Sequence, residues 1–147
     1  MTDSPVASAG AANVAAGRRV PLERADPAGA KWAAPLVTIG EECVGRRVVL
    51  SVDGELDMSN AAELRAAIEN AGSRAFEIWL DLSATTFMDS SALHAMAQAR
   101  DRLSRAKVRI ALICPGGPVL RLLRLTGFDR TFQIHVSRTA ANHATAA

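Results

Sequence analysis

Glu77-Ile78-Trp79-Leu80-Asp81-Leu82-Ser83, followed shortly by Phe87-Met88-Asp89-Ser90-Ser91-Ala92-Leu93, is the stretch on which the fold turns. Its first half comes close to alternation, with Ile78, Leu80 and Leu82 on one face and Trp79 as the exception, which predicts a strand ending at the turn-prone Ser83. The second half changes period. Leu93, Met96, Ala99 and Leu103 recur at three and four residues, the spacing of a buried helix face. Arg100, Arg102, Arg105 and Lys107 lie near its end, where cations suit the helix dipole. A strand, a short polar loop and a helix therefore place Asp89, Ser90 and Ser91 at a helix N-terminus.

The same reading extends in both directions. Residues 36–39 and 47–52 read as strands, joined by a turn over residues 43–46 that contains Gly45, hence a β-hairpin. Asp53-Gly54 breaks the second strand. Residues 57–60 are rich in helix-capping types. Ala61, Leu64, Ile68 and Ala71 follow at helical spacing, and Gly72 closes that helix. Residues 108–114 form an apolar run expected of a strand buried on both faces. Pro115-Gly116-Gly117-Pro118 is a turn that leads into a third helix with Pro118 in its first turn, and Gly127 stops it. Residues 131–136 read as a last strand and residues 137–147 as an Ala-rich helix. The order ββαβαβαβα predicts an α/β fold, a mostly parallel sheet made mixed by its N-terminal hairpin and flanked by about four helices. Residues 35–147 form this domain. Residues 1–34 are rich in Ala, Gly and Pro with few large apolar side chains, and read as a disordered tail.

Bulk properties narrow the function. At 147 residues with 49% hydrophobic and 22% charged side chains, the chain holds one domain with a core that needs no staples. Two cysteines, Cys43 and Cys114, are too few for a disulfide scaffold and are expected to be reduced thiols. His94, His135 and His143 show no metal-ligand spacing, so neither metal nor cofactor is expected. A net charge of +2, six aromatics and no Tyr argue against a nucleic-acid partner. No export signal or membrane-length apolar run is visible, so the cytoplasm is the expected compartment.

Enzymatic motifs are absent too. Asp89-Ser90-Ser91-Ala92 is no GxSxG nucleophile elbow, and His94, one turn along, has no evident orienting acid. Asp53, Glu55 and Asp57 fit no calcium loop. Gly116-Gly117 lacks the lysine and hydroxyl of a P-loop. Two readings of Asp89-Ser90-Ser91 stand: simple capping of the helix, or a serine able to carry a phosphate where backbone N–H groups favour an anion.

Five motifs in order resemble the STAS domain of bacterial anti-anti-sigma factors: Gly54-Glu55-Leu56-Asp57, Leu80-Asp81-Leu82-Ser83, Thr86-Phe87-Met88-Asp89-Ser90-Ser91, Ala111-Leu112-Ile113-Cys114-Pro115, and the run from Val119 to Phe128. The resemblance covers roughly residues 36–140. It implies an anti-sigma factor antagonist in transcription regulation, a protein that binds an anti-sigma factor, usually a serine-protein kinase, and frees a sigma factor. It implies phosphorylation of the serine after the motif aspartate, Ser90, with Ser91 as rival, reversed by a phosphatase. Asp57, Met58, Ser59, Asp89, Ser91, Ala92 and His94 are the expected partner-facing residues. The family commonly has Gly where this chain has Ala92, and often where it has His94. The alternative role is a phosphorylation-independent STAS scaffold, or a small subunit of a lipid transporter or sensory complex.

Overall fold

A computed structural model describes residues 18–22 and 36–146. Six strands lie in sequence order across one sheet: β1 (Arg18–Leu22), β2 (Val37–Val44), β3 (Arg47–Leu56), β4 (Glu77–Met88), β5 (Arg109–Ile113) and β6 (Gln133–His135). The pairs β1–β2 and β2–β3 are antiparallel, and the remaining pairs are parallel. Among the described residues, five helices accompany the sheet: α1 (Ala61–Gly72), α2 (Ser90–Arg105), α3 (Gly117–Leu125), the single turn α4 (Phe128–Thr131) and α5 (Arg138–Ala146). The hairpin turn is Gly45-Arg46, with Gly45 at φ 62°, a first central position that favours glycine.

Parity along the strands explains the layers. Val48, Leu50, Val52, Ile78, Leu80, Leu82 and Leu112 face α1, α2 and α3, and the large core gathers there. Val49, Trp79, Ala111 and Ile113 face the other way, and Ala141 of α5 covers them. Burial on both faces is why β4 departs from strict alternation at Trp79. The Arg47 guanidinium lies 3.7 Å from the Trp79 ring centroid and its Nε donates to Glu77 at 3.1 Å.

The structure corrects the sequence reading at five places. The first strand does not end at Ile39 but runs on to Val44, so Cys43 lies in β2 and the turn is only Gly45-Arg46. β4 does not end at Ser83 but runs on to Met88, with Thr85 buried and its hydroxyl donating to the Val52 carbonyl at 2.9 Å. β3 likewise passes through Gly54 to Leu56, with register shifts against β4 on both sides of that glycine. The turn α4 is additional. Arg18–Leu22, assigned above to a disordered tail, is instead the strand β1, held by main-chain pairing to β2. The rest of that N-terminal segment lies outside the described residues. No helix among the described residues is long and apolar enough to cross a membrane.

Candidate functional site

Because β3 and β4 are parallel neighbours with Leu56 opposite Met88, both chains leave the sheet side by side, and both enter helices. Carboxyl ends of parallel strands are where α/β folds build their sites. The Asp89 backbone N–H donates to the Leu56 carbonyl at 3.2 Å and ties the two junctions together.

The β3–α1 junction is an internally bonded loop. The Ser59 backbone N–H donates to Asp57 Oδ1 at 2.8 Å, and the Ser59 hydroxyl donates to the same oxygen. Asn60 is buried; its side chain accepts the Asp57 N–H at 3.0 Å and donates to the Glu55 carbonyl at 3.0 Å. Asn60 thus fixes the loop rather than capping α1, because its amide is spent before the helix begins. The bonded loop leaves Met58 with its side chain out in solvent, 80% exposed.

The β4–α2 junction is a capped helix start. Asp89 Oδ1 accepts the backbone N–H of Ser91 at 2.9 Å and of Ala92 at 3.2 Å. Capping is therefore realised, and it changes the electrostatics expected from sequence. Two of the first-turn donors that would draw an anion, the Ser91 and Ala92 N–H groups, are already engaged by a carboxylate. Ser90, the first helical residue, is exposed and Ser91 half-buried.

Of the eight sequence-predicted residues, the structure puts three along one groove, four at the two strand–helix junctions (Asp57, Ser59, Asp89 and Ser90) and one in the core. Met58, Ser91 and His94 line a shallow groove of about 520 Å³ between α1 and α2. Ala92 does not reach it: the side chain is wholly buried in the core under α2, so its extra methyl cannot crowd a docking partner. Sequence reading missed Phe87, which is 48% exposed at the end of β4, and Arg65, Glu69 and Gln98 of the groove. Arg65 Nε donates to Glu69 at 2.7 Å and its Nη1 to Gln98 at 3.0 Å, bridging α1 to α2. Exposed Phe87 in an apolar-polar motif was the available signal; the Arg65–Gln98 bridge, between residues 33 apart, had none.

Other candidate chemistry is separate from this surface. Cys43 stands near the hairpin end of the sheet, while Cys114 follows β5 at the opposite end and three strands away, beyond the reach of one disulfide. Burial pushes the Cys114 thiol above its ordinary pKa, which keeps it protonated. Among the described residues no group of three or more His, Cys, Asp or Glu could hold a metal ion.

With this geometry in place, known proteins can be set beside it. A STAS domain family profile matches residues 37–146. The anti-sigma-F factor antagonist RsfB of Mycobacterium tuberculosis (strain CDC 1551 / Oshkosh) is 32% identical over 87 residues, 58% of this chain and 70% of RsfB. The crystal structure of an anti-sigma factor antagonist from Mycobacterium paratuberculosis superposes with a TM-score of 0.69 at 28% identity, covering 76% of this chain and 95% of that one. Unphosphorylated SpoIIAA, 23% identical, shares the fold with a TM-score of 0.62 over 74% of this chain and 97% of its own.

Proposed function

The chain belongs to the STAS domain family, and we propose that within it this protein is an anti-sigma factor antagonist whose docking surface surrounds Ser90. It acts as a regulatory binding protein rather than an enzyme. Docking of an anti-sigma factor on the α1–α2 groove releases a sigma factor, and phosphorylation of Ser90 by a serine-protein kinase ends it. The observation that carries this reading is exposed Ser90 at the head of α2, next to Ser91, which lines the α1–α2 groove together with solvent-facing Met58. Exposed apolar side chains next to a modifiable hydroxyl suit a surface that must be dry when occupied and charged when switched off.

In the modification, Ser90 Oγ attacks the γ-phosphorus of ATP. A P–O bond to serine forms, the bond to ADP breaks, and the hydroxyl proton leaves to a base of the kinase or to solvent. The product carries about −1.5 to −2 charges where the free residue carried none. Asp89, already a carboxylate at the adjacent position, raises the negative potential a partner meets there.

Binding of the anti-sigma factor to the wild type, Ser90→Ala and Ser90→Glu tests the switch by calorimetry, with the phosphate mapped by mass spectrometry after kinase and ATP. Ser90→Ala is expected to bind and to resist labelling. Ser90→Glu is expected to bind about tenfold or more weakly, because an interface must desolvate its charge. Wild-type affinity for Ser90→Glu, together with no label on the native chain, would transfer the reading to a phosphorylation-independent scaffold or transporter subunit.

A further inference from the structure

The start of α2 poses a charge problem for a phosphate placed on Ser90. Asp89 already holds the Ser91 and Ala92 backbone N–H groups, and the Leu93 N–H donates to the Asp89 carbonyl at 3.2 Å. A phosphate on Ser90 therefore finds the Ser91, Ala92 and Leu93 N–H groups already engaged and a carboxylate beside it. Like charges at this separation repel unless a cation intervenes.

The basic side chains lining the groove next to the serines are His94 and Arg65. Arg65, on α1, is committed to Glu69 at 2.7 Å and to Gln98 at 3.0 Å. His94 is exposed and stands four residues after Ser90 on the same helix. Positions i and i+4 share a helix face with Cβ atoms about 5–6 Å apart, and an anion on the N-terminal side of a cation is the favoured order. The other charged side chains lining the groove with His94 are the mutually paired Arg65 and Glu69 on α1, while Asp89 and Asp57 stand at the two adjoining junctions, bonded to Ser91 and to Ser59.

We propose that His94 is the charge partner of a phosphate on Ser90, closing an i, i+4 ion pair on the exposed face of α2. This inference rests on Ser90 as the modified residue and adds what holds the modification in place. A protonated imidazole and a dianionic phosphate, whose second ionisation falls at about 6, attract each other across one helical turn. Each stabilises the charged form of the other, so the phosphate stays dianionic and the imidazole protonated over the same pH range. A glycine at position 94 would leave the phosphate facing Asp89 alone.

The test uses the full chain with phosphoserine incorporated at position 90 during synthesis, so no kinase is required. The ring resonances of His94, His135 and His143 and the phosphorus resonance are titrated by NMR, with and without the phosphate. The expected result is a rise of roughly half a unit or more in the His94 pKa on phosphorylation, with His135 and His143 unmoved. The rise should shrink as salt increases from about 0.05 M to about 1 M. In the His94→Gln variant the phosphate should take up its proton at higher pH than in the wild type. An unchanged His94 titration overturns the proposal, as does a phosphate that displaces the Arg65 side-chain resonances and leaves His94 alone. Kinase labelling of Ser90 is a separate experiment, so loss of the switch and loss of this pair read differently.

Discussion

Asp89 serves two parts of the molecule with one residue: its N–H fastens the head of α2 to the end of β3, and its carboxylate closes the first turn of the helix. Replacing it by Ala should cost about 1 kcal/mol of stability, the usual value of a lost N-cap. Asp89→Asn should lose far less, because its amide oxygen can accept the same bonds; urea midpoints of the three proteins check the order. Gly54 is the second residue whose identity is forced. Its φ is 125°, and a Cβ there would lie 2.3 Å from the Leu36 carbonyl oxygen. Gly54→Ala should therefore destabilise by more than about 1 kcal/mol, since both conformation and contact oppose the methyl. Sequence marked this glycine but misread its purpose. A Gly after Asp reads as a strand end, whereas here it lets an irregular strand pass close beneath Leu36, a long-range contact that no local pattern encodes.

At the scale of elements, the C-terminal helix α5 is fastened to the sheet by one arginine. Arg138 Nε donates to Asp81 at 2.8 Å, Nη1 to Glu42 at 3.2 Å and Nη2 to Ser51 at 2.8 Å, so a single side chain gathers β2, β3 and β4. Burial pushes the Asp81 carboxyl upward, but the Ser83 hydroxyl and N–H and the Arg138 guanidinium outweigh it and hold it below its ordinary value. The unfolded chain therefore takes up this proton first as pH falls. The stabilisation is fully present above about pH 4, the unfolded value, and is lost as pH drops through the lower folded one. Asp81→Asn should be less stable than the wild type at neutral pH, and the gap should narrow towards about pH 3. Denaturant melts at both pH values decide it; a gap independent of pH would mean the carboxylate charge contributes nothing. The helix positions were legible because Leu93, Met96, Ala99 and Leu103 keep the period without interruption. Asp81 was not, because in the sequence it looks like the solvent side of a half-buried strand. Only the return of α5 over that face makes Asp81 and Trp79 interior.

On the scale of the whole molecule, the candidate site exists because two βα units run in parallel and deliver two loops and two helix heads to one end of the sheet. Its residues were readable along the chain, since Asp57 to Ser59 and Asp89 to Ser91 each sit in a compact motif. Its groove was not, being made by packing α1 on α2. The opposite case is β1. Arg18-Arg19-Val20-Pro21-Leu22 sits in a segment whose composition predicts no order, yet it pairs along β2 from Leu22 opposite Val37 to Arg18 opposite Glu41. Such a strand draws its stability from main-chain bonds to a ready edge, which composition does not register. Proline within it fits an edge position, where an N–H can be spared. A chain beginning at Ala33 keeps both core clusters, so it should still unfold cooperatively, with a lower melting temperature and β2 as its new edge. The unpaired edge should also make the shortened chain more prone to self-association, visible as a concentration-dependent sedimentation coefficient that the full chain lacks. A shortened chain with the melting temperature of the parent would show that β1 adds no stability. One without a cooperative transition would show instead that the sheet cannot form from β2 onward, and that the N-terminal segment belongs to the domain.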